Sequence, residues 1–362
     1  LLLYFSKRVQ SILNTATTAN ICRLALFSYR KPLCTKFINL FQNPPPLAKF
    51  TQKGIFCAEK RQSFLVFFYY FCTPKRIKVQ NIHITYKIMT KIKGNNVLIT
   101  GGASGIGRIM GRIALERGAK SLIIWDINEA SIASTIEEYK ELGTVKGYKV
   151  DVSNTQQVQE IVAKTEKECG NVDIVINCAG IVTSNATFDK LGIKEIERTM
   201  EINATAPMII AKQFLPGMIE RNHGHVCNIA SAAGMISNPR MSVYAASKWA
   251  MIGWSDSVRI ELKQMKSKVR FTTIAPYFIN TGMFDGVKSR IFPILKPVPT
   301  ARKILRGIEK NRNFKGIPFG YHFIRTCQAL LPTPIFDYIF GEVVGIFHAM
   351  DHFTGREKSI KK

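Results

Sequence analysis

Residues 231–250, SAAGMISNPRMSVYAASKWA, place a phenol and an amine four positions apart. On a helix, Tyr244 and Lys248 share one face. An ammonium beside a phenol stabilises the phenolate and lowers its pKa from about 10 toward working pH. A general acid/base needs that property. Ser231 lies 13 residues earlier, at the end of the apolar run GHVCNIAS (224–231), where its hydroxyl can reach the same point. Phenol, amine and hydroxyl brought to one place suit general acid/base proton transfer.

A second constellation lies earlier in the chain. TGGASGIG (100–107) follows the apolar run NVLIT (96–100) and opens a helix-like segment. Gly101, Gly105 and Gly107 let the backbone approach a pyrophosphate, with Ser104 and Ile106 in the same loop. The free N–H groups and positive dipole end of a helix N-terminus face the anion. A lone glycine pattern is often only a turn, but this one has the flanks of a dinucleotide site and starts a strand–helix series. Asp126 ends the next apolar run, 19 residues after Gly107. A carboxylate there can accept from both hydroxyls of an adenosine ribose and repels a 2′-phosphate, so it favours NAD over NADP. Neither Ser104 nor Ile127 is basic, although Arg108 and Arg112 follow on the helix. The competing role for Asp126 is that of an acid leading the next helix.

These residues need rigid elements to hold them. Strands are expected at 96–100, 121–126, 147–152, 172–180, 224–231 and 269–276. Helices are expected at 105–119, 128–143 and 154–170, and near 194–221 and 243–266. Helix and strand alternate, and the strands are continuous apolar runs, the pattern of a parallel sheet covered by helices on both faces. The fold class is therefore α/β, a doubly wound parallel sheet of Rossmann type, with ligands at the carboxyl ends of the strands. Residues 277–362 read as less regular and carry Pro293, Pro297, Pro299, Pro318, Pro332 and Pro334. The organisation expected is a catalytic domain at 89–316, with a substrate lid near 277–299, and an apolar C-terminal extension at 317–362.

The chain has 362 residues and a formal charge of +26, which is unevenly spread. Residues 1–88 hold 14 Lys/Arg and one acid, Glu59; residues 89–362 hold 37 Lys/Arg and 24 Asp/Glu. Met89 is the first methionine. Residues 1–88 show no sustained periodicity. We expect them to lie upstream of the native start or to form a disordered leader; a transit peptide or membrane anchor is the alternative. The aromatic run SFLVFFYYFC (63–72) is about half the roughly 20 residues a spanning helix needs. No recognised nucleic-acid motif accompanies the charge. The eight cysteines form no CxxC pair or metal-ligand cluster, and those after Met89 read as buried free thiols of a reducing compartment.

Taken together, the motifs resemble those of the short-chain dehydrogenase/reductase family. TGxxxGxG is TGGASGIG, the adenine-contacting Asp-Val pair is Asp151–Val152, and NxAG is NCAG, from Asn177 through Ala179 to Gly180. Asn203 in MEINATAP matches the family's catalytic Asn, and Ser231, Tyr244 and Lys248 complete its tetrad. The resemblance implies hydride transfer with nicotinamide, Tyr244 as acid/base and Ser231 holding the substrate oxygen. Lys248 would also bind the nicotinamide ribose, and Asn203 would position a water beside it. Pro276 and Thr281 would contact the cofactor, Thr281 at the carboxamide. Many members have Pro-Gly where this chain has Pro276–Tyr277, which sets a bulky ring near the substrate.

IIWDIN, NIASAAG, INTGMF and FPILKP resemble the branch of retinol and hydroxysteroid dehydrogenases, which implies a lipophilic alcohol or carbonyl substrate. The rival reaction is that of an NADPH-dependent 3-oxoacyl reductase; the rival class is a nucleotide-binding protein without turnover. A homodimer or homotetramer is expected from the family. The expected location is cytoplasmic, with peripheral membrane contact through the apolar C-terminal region and the basic tail of Lys358, Lys361 and Lys362.

Overall fold

The structure is a computed structural model and describes residues 89–355, apart from 184, 291 and 319. The expectations for residues 1–88 and for the basic tail fall outside the described residues.

Seven strands form one parallel sheet in the order β3-β2-β1-β4-β5-β6-β7. They are β1 (Asn96–Thr100), β2 (Ser121–Asp126), β3 (Thr144–Lys149), β4 (Ile174–Asn177), β5 (His225–Ile229), β6 (Arg270–Pro276) and β7 (Phe314–Ile317). Chain order reverses between β1 and β4, which creates the crevice expected at a topological switch point. The helices between strands are α1 (Gly105–Glu116), α2 (Glu129–Tyr139), α3 (Thr155–Cys169), α4 (Ile193–Met200), α5 (Ala206–Glu220), α6 (Ser242–Gln264) and α7 (Pro297–Glu309). Asn128 and Asn154 cap α2 and α3 by accepting from Ser131 N and Gln157 N, as short polar side chains at helix starts do.

The strands are apolar on both sides because both sides are covered. Val97, Ile99, Leu122, Ile124, Ile174 and Ile176 enter one core, and Leu98, Ile123, Trp125, Val175 and Val226 enter the other. Alternate residues of a strand thus serve opposite faces. Each such side chain contributes about 1.5–3 kcal/mol on burial.

Four expectations need correction. The third strand runs from 144 to 149 rather than 147 to 152. β3 is the sheet edge and largely exposed; Val150 and Val152 are buried beyond its end, which made the later window look like the strand. The segment near 194–221 is not one helix: a π-helical turn, Glu201–Thr205, separates α4 from α5. Residues 277–317 are more ordered than their prolines suggest. Pro297 and Pro299 occupy the first turn of α7, where a missing N–H breaks no helical bond; β7 follows. The expected boundary at 316/317 also falls inside β7. Residues beyond it form α8 (Tyr321–Leu330), α9 (Thr333–Phe336) and a π-helical turn, Asp337–Val343. Ile324, Phe336, Phe340 and Ile346 belong to the main core, so this segment caps the domain. Among the described residues, no helix is long and apolar enough to cross a membrane.

Candidate active site

The glycine loop turns sharply between β1 and α1. Gly101 and Gly105 have φ of 64° and 52°, a region that favours glycine. Gly107 packs so closely under the loop that a Cβ there would lie 2.2 Å from Gly101 O. Thr100 Oγ1 accepts from Cys178 N (3.0 Å) and Ala179 N (3.1 Å), tying the end of β1 to the NCAG segment after β4. The result is an open backbone cradle at a helix N-terminus, a shape that fits the pyrophosphate of a dinucleotide.

Asp126 is buried at the end of β2. Its Oδ2 accepts from Ala103 N (3.0 Å) and its Oδ1 from Asn128 N (3.1 Å). The carboxylate therefore braces the glycine loop, and each oxygen retains a further lone pair. The two nearby arginines are committed elsewhere: Arg108 pairs with Glu138, and Arg112 with Glu116 at 3.0 Å. Ile127 is exposed.

A cleft of about 1070 Å³, open solvent included, runs from this loop across the ends of β4, β5 and β6. Gly101, Ser104, Gly105, Ile106 and Gly107 line it, together with Ala179, Gly180, Pro276 and Thr281. Ser231, Tyr244 and Lys248 line the same cleft. Two remote sequence segments thus meet at the carboxyl edge of the sheet. Asn177, Asp151 and Val152 do not line this cleft. Asn177 is buried behind it and donates to Asn228 Oδ1 at 2.8 Å; Asn228 in turn donates to Ser255 Oγ at 2.8 Å. Val152 is buried in the second core. Asp151 accepts from Ser153 Oγ (2.6 Å) and Arg198 Nη2 (3.1 Å). Burial raises its carboxyl pKa, but the bonds from Ser153 and Arg198 outweigh that and leave it lowered.

Asn203 occupies the π-helical turn between α4 and α5. Its Oδ1 accepts from Ile181 N (2.8 Å), and its Nδ2 donates to Ile181 O (2.9 Å) and Ser247 Oγ (3.2 Å). The widened turn aims this amide at the loop after β4, a frequent use of such bulges. A Cβ on Gly180 would meet Asn203 Oδ1 at 3.2 Å and Lys248 Nζ at 3.6 Å. Glycine at 180 thus keeps open the space where Asn203 and Lys248 approach each other.

Lys248 Nζ donates to Ile229 O at 3.1 Å and stands 5.6 Å from the Tyr244 ring centroid. The electrostatics differ from the sequence expectation. Burial pushes the Tyr244 phenol up to about 12, and the hydrogen bond with Ser231 only partly offsets it. Burial likewise lowers Lys248 to about 8, with Cys178 acting weakly the other way. Desolvation therefore dominates at Tyr244, and its phenol is neutral at neutral pH.

The lowered Lys248 value has a measurable consequence. Below about pH 8 the buried amine is charged at a cost of about 3 kcal/mol relative to the unfolded chain. Between pH 8 and 10.5 the unfolded chain binds the proton more strongly, so stability rises with pH. Lys248→Met should therefore be more heat-stable than the parent at pH 7 and lose much of that advantage by pH 10. Parallel thermal scans across this range measure the difference.

The end of the cleft away from the glycine loop is apolar, lined by Ile236, Phe278, Ile279, Met283, Phe284 and Ile346. Phe284 meets the Tyr244 ring edge-on, with centroids 5.9 Å apart. Asn238 also lines it and carries a buried Oδ1 with no partner. The sequence reading missed Asn238 and Ile346. Asn238 lies in the quoted Ser231–Tyr244 segment but has no spacing signal, and Ile346 reaches the cleft only because the C-terminal segment folds back. Among the cysteines, Cys227 is buried and its thiol is pushed up by burial. Cys169, Cys178 and Cys327 form no disulfide and are only half-buried, not buried as expected. Among the described residues, no group of His, Cys, Asp and Glu is placed to hold a metal.

Comparison with known proteins agrees with this geometry. Residues 95–291 match the family model described as short chain dehydrogenase. The chain is 34% identical to mouse epidermal retinol dehydrogenase 2, over 76% of this chain and 90% of the relative. It is 38% identical to bovine short-chain dehydrogenase/reductase family 16C member 6, over 76% and 89%. It is 34% identical to human estradiol 17-beta-dehydrogenase 11, over 67% and 80%. The crystal structure of levodione reductase shares the fold, with a TM-score of 0.55 at 24% identity over 63% of this chain and 97% of that one. The chain belongs to the short-chain dehydrogenase/reductase family, as an oxidoreductase of CH–OH groups related to retinol and hydroxysteroid dehydrogenases.

Proposed function

We propose that the protein interconverts a lipophilic alcohol and its ketone or aldehyde, with NAD as the partner oxidant. The observation that carries this is one cleft holding the glycine cradle, the Ser231–Tyr244–Lys248 group and an apolar far end. Retinoid, steroid and long-chain alcohols fit that apolar end. When bound, the nicotinamide dinucleotide supplies the hydride acceptor or donor. Gly101, Ser104, Gly105, Ile106 and Gly107 would hold its pyrophosphate, Asp126 its adenosine ribose, and Asp151–Val152 its adenine. Ala179, Gly180, Pro276 and Thr281 would flank the remainder, with Asn177 bracing that wall from behind. Membrane contact and a homo-oligomer belong to the same reading; Trp249 and Ile260 are exposed on α6.

The chain's own residues handle the proton. The Tyr244 O–H donates to the carbonyl oxygen in reduction, and Tyr244 accepts the alcohol proton in oxidation. Ser231 holds that oxygen by a hydrogen bond. Lys248, with its Nζ 5.6 Å from the Tyr244 ring centroid, would stabilise the phenolate left after proton transfer. Asn203, beside Lys248 across Gly180, would seat a water that passes the proton outward. The apolar wall excludes other water and strengthens each of these polar contacts.

Cofactor choice rests on Asp126 and on arginines already paired. Asp126→Asn keeps an acceptor for Ala103 N while removing the charge. The NAD-over-NADP preference in kcat/KM should fall by about ten-fold. Initial rates with both cofactors measure it. A parent protein that prefers NADPH and reduces 3-oxoacyl thioesters would favour the rival reductase reading.

A further inference from the structure

We propose that Tyr277 is a specificity-determining and lid-positioning residue: its ring walls the apolar end of the cleft while its hydroxyl latches the lid to the sheet through Ser289. This inference rests on the proposed alcohol oxidoreductase reading for its substrate, but not for the latch itself.

Tyr277 directly follows the last residue of β6, and its N–H donates to Ile317 O of β7 at 2.8 Å, so its backbone is fixed by the sheet. Its ring lines the cleft and packs against Phe278 and Phe292, at centroid distances of 4.6 and 5.8 Å. The hydroxyl lies 2.9 Å from Ser289 Oγ. Ser289 Oγ spends its own proton on Phe292 O at 2.5 Å, so the Tyr277 O–H is the donor in that pair. Sheet, Tyr277, Ser289 and Phe292 thus form one chain of hydrogen bonds across the base of the lid.

The geometry has two consequences. The hydroxyl is taken up by Ser289, so the ring face is what Tyr277 offers a substrate. A ligand group lying there gains only apolar contact, and a polar group buried against the ring is penalised. The lid itself is anchored on both flanks. Phe284 reaches back to Phe278 at 5.0 Å, and on the outer side Lys288 N donates to Ala349 O at 3.2 Å. The latch therefore couples the wall of the cleft to the segment that closes it. Burial raises the Tyr277 phenol pKa, which keeps the donor neutral.

Lys288 and Arg290 are exposed on the lid and offer trypsin sites that report its opening independently of activity. Tyr277→Phe keeps the ring, and hence the packing with Phe278 and Phe292, but removes the donor. Ser289→Ala removes the relay. Each variant should raise KM for a large apolar alcohol such as retinol by about five-fold with kcat little changed, and should speed cleavage at 288–290 similarly. A short alcohol, which does not reach the ring, should show no change in KM. The double variant should match Ser289→Ala rather than multiply the two effects, because the Tyr277 hydroxyl acts through Ser289. Unchanged proteolysis and unchanged KM in both single variants would overturn the latch. If the parent protein oxidises none of the alcohols, the proposed activity fails, and the proteolysis rates still decide the latch.

Discussion

Tyr244→Phe is expected to lower turnover by about 10²–10⁴-fold, the range a positioned general acid/base supplies, without loss of nucleotide binding. The phenyl ring can keep the edge-on contact with Phe284 at 5.9 Å, so the wall of the cleft stays in place. Only the O–H is removed, and with it the proposed proton donor beside Ser231. Burial makes that donor hard to replace. The site is desolvated enough to hold the phenol at about 12 and Lys248 at about 8, so an incoming water would find few partners. Absorbance of the reduced nicotinamide follows turnover, and titration calorimetry follows NAD binding. Parental turnover in this variant would remove Tyr244 from proton transfer. Lost binding with it would mean that the substitution damaged the fold.

Gly107→Ala should weaken NAD binding by about 10–100-fold, a figure set by the strain of overpacking a rigid contact. The added Cβ would stand 2.2 Å from Gly101 O and 3.0 Å from Gly101 C. Both are backbone atoms and cannot rotate away as a side chain would, so α1 or the loop must shift. Either movement disturbs the N–H groups proposed to hold the pyrophosphate. Gly253→Ala is the matching control. It lies within α6, and its added Cβ meets nothing within 4 Å, so it should bind NAD normally and gain slightly in helix stability. Calorimetric NAD titrations of both variants make the comparison. Normal binding by Gly107→Ala would show that the close approach under the loop is not needed.

Much of this arrangement was legible in the chain because it depends on local chemistry. The glycine cradle, the four-residue spacing of Tyr244 and Lys248, and the buried strands each follow from residue type and period. What was not legible depends on distant contacts. β3 was misplaced because an exposed edge strand lacks the apolar run of its neighbours. α7 was hidden because Pro297 and Pro299 look like breakers until their first-turn position is known. The π-helical turn at Asn203 follows no periodic signal; its amide bonds to Ile181, 22 residues away. The sign of the Tyr244 shift was misjudged because spacing reports that a lysine is near, not that both groups are buried. Ile346 joins the cleft only through folding of the C-terminal segment, a contact across more than a hundred residues from Tyr244.

The most direct measurement incubates the protein with NAD and, separately, with retinol, a steroid alcohol and a long-chain primary alcohol, and identifies products by mass spectrometry. The expected result is an aldehyde or ketone formed in equal amount to NADH from at least one of these alcohols, and none with Tyr244→Phe. Failure to oxidise every one of them, together with NADPH-driven reduction of a 3-oxoacyl thioester, would contradict it.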